Sequence, residues 1–158
     1  MLKITKFFTI IILVLLSVDS YSQVNGVGIN TIDPKSTLDI NGNLSIKVAT
    51  IPGGPSGAAA QITDQGVYLS LDANGSNNDF QLPNPVTVPG RIYILRNIST
   101  TNTAYLLTTG TTGSTGKFFA KDSSNPTETS GTAVINMPAN GNSKSIIIVS
   151  DGANWTYF

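Results

Sequence analysis

From Gln61 onward no apolar run exceeds the length of a β-strand, and turn residues follow nearly every one. The runs are "VYLSL" from Val67, "DFQLP" ending at Pro83, "RIYILRN" from Arg91 and "AYLLTT" from Ala104. "TAVINM" from Thr132, "KSIIIVS" from Lys144 and the closing "NWTYF" complete the series. Their β-branched and aromatic side chains suit a pleated, half-buried surface. Ala73-Asn74-Gly75, Pro89-Gly90, Asn140-Gly141-Asn142 and Asp151-Gly152 punctuate them, residue types that accept turn geometries. No helical periodicity lasts beyond about two turns. The pattern predicts an all-β fold, mostly antiparallel and sandwich-like over residues 61–158. Residues 110–130, "GTTGSTGKFFAKDSSNPTETS", read as loop, with Phe118-Phe119 inside. One of these two rings is expected to fill the core and the other to rest on the surface.

The segment before this domain is built differently. Residues 1–22 carry Lys3 and Lys6, an apolar run from Phe7 to Val18, then Ser20 and Ser22. That is the pattern of a secretory signal helix cut before Gln23, and the run is shorter than the roughly 20 residues of a spanning helix. Residues 23–50 then alternate in short bursts: Val27 with Ile29, Leu38 with Ile40, and Leu44 with Ile46 and Val48. Asp33-Pro34 reads as a turn and Asn41-Gly42 as a hairpin turn, so a short β-hairpin arm is expected. Strands this short are marginal alone, which marks Val27, Ile29, Leu38, Ile40, Leu44 and Ile46 as candidates for self-association. Packing of the arm against its own carboxyl-terminal domain is the plainer alternative. "IPGGPSG", within residues 51–60, reads as a linker, and "AAAQI" after it as a single helical turn at most.

Composition removes several kinds of function. The chain has no histidine and no cysteine, so His-based triads, Cys-His pairs, His-ligated zinc and disulfides are all excluded. Its 9 Lys/Arg and 9 Asp/Glu become seven and eight once Lys3, Lys6 and Asp19 are set aside, a net charge of −1. So few basic residues cannot make a large nucleic-acid-binding face. The oxygen-rich "DANGSNND" (Asp72–Asp79) departs from a calcium loop, having Asn77 sixth where glycine is needed and Pro83 twelfth where glutamate is needed. Asp33, Asp39, Asp64, Asp72, Asp79, Asp122, Glu128 and Asp151 mostly adjoin turn residues, which suits caps rather than a glycosidase pair. No enzymatic activity, cofactor, metal site or nucleic-acid partner is expected.

Two stretches resemble known bacterial sequence types. "GVGINTIDPKSTLDINGNLSI" is similar to the repeat GIGT-x-x-P-x-x-x-LDV-x-G of exported Bacteroidetes surface proteins and phage tail fibres, through Gly28, Ile29, Pro34, Leu38, Asp39, Ile40 and Gly42. Asn30 stands where that repeat has glycine. The second stretch resembles a tail-fibre-like β-domain through Leu82, Pro83, Gly90, Tyr93, Ile94, Asn97, Ser150, Asp151, Gly152, Asn154 and Trp155. The resemblance implies a secreted or cell-surface structural module, adhesin-like and homotrimeric, with a glycan or protein as its outside partner and no membrane attachment after signal cleavage. It supplies no catalytic residues. In a bacterial product the Asn-x-Ser/Thr sequons at Asn43, Asn74, Asn97 and Asn154 are chance products of an Asn/Ser/Thr-rich chain.

A carbohydrate-binding module using exposed aromatic rings with Asn/Asp is the alternative function. Its candidate residues are Trp155, Tyr157, Phe118 and Phe119. Against it, the Asp151-Gly152 turn is expected to fold Trp155 back onto the sheet as a structural anchor.

Overall fold

The computed structural model describes residues 26–108, 116–128 and 133–158. The signal segment expected over residues 1–22 lies outside them. The chain divides into two units, the first ending at Ser45 and the second spanning Ile46–Phe158.

In the first unit β1 (Val27–Ile29) pairs with β2 (Leu38–Ile40), and the pair is parallel. The expected hairpin is therefore corrected. Alternation at Val27, Ile29, Leu38 and Ile40 reports strands but carries no information about direction. Direction is set by the loop between them, where Asn30 adopts φ 58°, the left-handed region. Glycine and asparagine enter that region at least cost, which accounts physically for asparagine at this position of the repeat-like motif. Asn30 Nδ2 donates to Asn41 O at 3.0 Å, and Asn41 Nδ2 returns a bond to Asn30 O at 3.3 Å. Lys35 N donates to Asp39 Oδ2 at 2.8 Å. Gly28 is held by close approach, since a Cβ there would meet Thr31 O at 2.4 Å. Asn41-Gly42 ends β2 instead of turning into a third strand, and Leu44 and Ile46 lie outside any strand.

The second unit contains β3 (Val48–Pro52), β4 (Gly54–Pro55), β5 (Ala60–Gln61), β6 (Tyr68–Asp72), β7 (Asn77–Leu82) and β8 (Ile92–Asn97). β9 (Ala104–Thr108), β10 (Phe118–Ala120), β11 (Val134–Met137), β12 (Ser145–Ser150) and β13 (Trp155–Tyr157) follow. Six strands form one sheet in the order β10-β13-β12-β8-β6-β3. The other sheet runs β11-β9-β7-β4, with β5 also on β7. Every run singled out in the sequence appears as a strand, and the all-β class holds. The antiparallel majority does not. β3-β6, β6-β8, β5-β7, β7-β9 and β10-β13 are parallel, while β4-β7, β9-β11, β8-β12 and β12-β13 are antiparallel.

The reason is visible in the connections. From β5 to β9 the chain alternates between sheets, and each return to a sheet repeats the previous direction. Residues 51–60, expected as a linker, form part of this winding. They hold the end of β3, then β4 and the start of β5, where the helical turn was expected. β10 likewise lies within the expected loop.

Both sheets supply side chains to one core. Leu69, Leu71, Tyr93, Leu95, Ile146 and Ile148 come from the larger sheet, and Phe80, Leu82, Leu106, Ile135 and Met137 from the smaller. Burial of such side chains is the dominant favourable contribution to folding, at about 1.5–3 kcal/mol each. Apart from Asn78 Oδ1, the buried side-chain polar atoms of the described residues are paired. Tyr93 Oη donates to Thr63 O at 2.6 Å, and Arg91 Nη1 reaches both Tyr93 Oη at 3.4 Å and Asp64 Oδ1 at 3.1 Å. Burial raises the Tyr93 phenol above its ordinary range, and the Arg91 charge offsets part of that. Asn97 is wholly buried. Its Nδ2 donates to Asn102 O and Met137 O, each at 2.8 Å, and its Oδ1 accepts from Ser99 N at 2.9 Å. This sequon asparagine is thus consumed by the fold.

Candidate functional site

The four aromatic residues picked from the sequence do not make a shared platform. Phe118 and Trp155 are wholly buried, facing each other in register across β10 and β13. The Trp155 ring centroid lies 5.9 Å from that of Tyr93, and Trp155 Nε1 donates to Pro83 O at 3.3 Å. Both residues belong to the core, so a ligand cannot reach them. Phe119 and Tyr157 are half-buried. Tyr157 Oη pairs with Thr127 Oγ1 at 2.9 Å, and Phe119 bridges to Pro126. The expectation that one of the two adjacent phenylalanines plugs the core holds for Phe118.

The arm residues show the opposite behaviour. Val27, Ile29, Leu38 and Leu44 are between 51 and 64 % exposed, while Ile40 and Ile46 are half-buried. Parallel register sets Val27 beside Leu38 and Ile29 beside Ile40, so four apolar side chains share one face of the pair.

A site missed by the sequence reading lies on the outer face of the five-stranded sheet. β7, β9 and β11 send Phe80, Leu82, Leu106, Ile135 and Met137 inward, leaving alternate residues outside. Register then sets Asp79, Tyr105 and Asn136 side by side, and in the next row Gln81, Leu107 and Val134. A shallow cleft of about 660 Å³ runs over this face, with Ser56, Ser76 and Asn78 at its margin. Tyr105, 39 % exposed, is its aromatic surface. Asn78 Nδ2 donates to Gly75 O at 2.9 Å. Asn78 Oδ1 is the one buried side-chain oxygen or nitrogen without a hydrogen-bond partner among the described residues. The sequence signal for Tyr105 was its place in "AYLLT", but the adjoining leucines hide which parity faces out.

Within the oxygen-rich Asp72–Asp79 stretch, residues 73–76 make a tight turn between β6 and β7. Asn74 N donates to Asn77 O at 3.1 Å and Asn77 N to Asn74 O at 2.9 Å. Among the described residues no three His, Cys, Asp or Glu side chains come together as a metal-holding group, and no helix is long and apolar enough to cross a membrane. No protein-family model, curated protein or solved structure matches the chain.

Proposed function

We propose that the chain is an exported, non-enzymatic structural or adhesive module, tail-fibre-like in character, that joins copies of itself through its amino-terminal β-arm. The observation that carries this reading is the exposed apolar face of β1 and β2. Two strands of three residues cannot bury Val27, Ile29, Leu38 and Ile40 between themselves. Three copies about an axis bring these faces together, and the repeat-like motif supports the same use. Sedimentation of the chain from Gln23 at low micromolar concentration is expected to give a trimer. Val27→Asp combined with Leu38→Asp is expected to weaken the trimer by at least a hundredfold, because two buried carboxylates per copy lack partners. A lone monomer of the unsubstituted chain sinks the reading.

A second reading, carbohydrate binding, is favoured by the outer cleft. Tyr105 offers an apolar ring to the C–H face of a sugar, while Asp79 and Asn136 beside it offer hydrogen-bond partners for hydroxyl groups. On a glycan array the chain is expected to show a discrete set of bound sugars. Tyr105→Ala is expected to weaken binding roughly tenfold or more, and Trp155→Phe, which alters only the core, to leave it within about twofold. An array with no bound glycan removes this reading and leaves the first untouched.

A further inference from the structure

We propose that the outer face of the six-stranded sheet is a second, independent self-pairing surface, on which two copies of the chain stack face to face. A sheet with one solvated face normally alternates apolar-in with polar-out. One row of this sheet departs from that pattern. Register aligns Val48, Tyr68, Ile94 and Ile147 across β3, β6, β8 and β12. Phe158 extends the row through paired backbone bonds with Ile147, at 2.9 and 3.4 Å. Tyr68, Ile94 and Ile147 share the outward parity, because their strand neighbours Leu69, Tyr93, Leu95, Ile146 and Ile148 are buried, and Val48 and Phe158 follow by register. Val48 is 63 % and Phe158 58 % exposed, and Ile92 adds a further exposed side chain beside Ile94. A contiguous apolar patch of this kind marks an interaction surface.

Charge and size identify the occupant. Among the strand residues of this parity the charged side chains are Asp72 and Arg96, one of each sign, and neither has a salt bridge among the described residues. A face with no net charge has no long-range pull on an anionic lipid surface or a polyanion. Opposite charges on one face are what an isologous two-fold contact needs, since each copy presents both halves of a complementary pair. Stacked sheets pack about 10 Å apart with strands roughly aligned. Five strands of three to six residues cover roughly 400 Å² per copy from strand rise and spacing alone. That lies below the standard interface of about 800 Å² per partner. The contact is therefore a weak, micromolar pairing rather than a permanent dimer.

The test is sedimentation equilibrium of the chain from Gln23 over roughly 1–300 µM, a range chosen to bracket a micromolar Kd. The background is the Val27→Asp, Leu38→Asp variant, which silences the arm. This variant is expected to remain in a monomer–dimer equilibrium with a micromolar Kd. Adding Ile147→Lys is expected to raise that Kd at least tenfold, and Phe158→Asp, whose side chain is already exposed, provides the same readout without touching the core. A background variant that is monomeric at every concentration overturns the proposal while leaving the arm reading intact. So does an unchanged Kd with both added substitutions. If instead the arm substitutions alter nothing and Ile147→Lys alone yields monomer, the face stands and the arm reading falls.

Discussion

Trp155→Ala is expected to destabilise the fold by about 3–5 kcal/mol and to lower the melting temperature by roughly 10–20 °C. Three losses combine. The fully buried indole leaves a cavity between the sheets, which the surrounding strands cannot close because β13 is held on one side by β12 and on the other by β10. The Tyr93 ring loses its aromatic neighbour at 5.9 Å. The part-buried Pro83 O loses the indole N–H donor at 3.3 Å. Trp155→Phe keeps most of the volume and is expected to recover more than half the loss. The chain has a single tryptophan, so variants that keep the buried Trp155 are expected to show blue-shifted native emission. Chemical denaturation of both variants checks the ordering. A loss below about 1 kcal/mol for alanine is the range of a surface substitution and means that the indole does not anchor the core.

The second large effect is expected at Asn97. Asn97→Ala is expected to cost about 2–4 kcal/mol, because one truncation removes the side-chain partner of Asn102 O, Met137 O and Ser99 N together. Met137 ends a strand of the smaller sheet and Asn97 ends one of the larger, so this side chain ties the two sheets together. Asn97→Asp separates hydrogen bonding from volume. A carboxylate is nearly the same size but cannot donate to the two carbonyls. Its buried charge raises the folded-state pKa above the unfolded value. The aspartate variant is therefore expected to be least stable at neutral pH and to recover as pH falls through that raised pKa. The parent chain, with an amide at this position, gains nothing there. Melting curves from about pH 4 to pH 8, which bracket the ordinary carboxyl and a raised one, check this. Equal pH profiles for the two proteins contradict the proposed donor role.

Strands were legible because alternation is a local property. "YLSLD" and "NNDFQL" reveal which residues face the core without reference to any partner. Direction and partner choice were not legible, because they depend on which sheet the chain enters next. Gly53 and Gly54 look like a flexible join, yet they bring β3 and β4 into different sheets at close quarters: a Cβ on Gly54 would meet Ala58 O at 2.3 Å. Phe118–Ala120 has no alternation that distinguishes it from loop, and its strand character comes from pairing with residues near the far end of the chain. The inward turn of Trp155 was legible in Asp151-Gly152: Asp151 Oδ1 accepts from Ala153 N at 2.7 Å and Asn154 N at 2.6 Å, and the ring is buried. A usable signal for the larger sheet's outer face was present. Ile146-Ile147-Ile148 is continuous rather than alternating, and continuity means that both faces of a strand are apolar.

The order of the six-stranded sheet also bears on how the unit answers a pull. β3 stands at one edge and β13 near the other, and the pairings make β3, β6, β8 and β13 point one way with β12 reversed. Tension between the amino side of β3 and the carboxyl side of β13 therefore runs along the strands in opposite senses. It shears the intervening ladders, so that all the bonds of a ladder must yield together instead of parting one after another as in a zipper. A chain with no cysteine to brace it thereby resists a pull along this axis through topology alone.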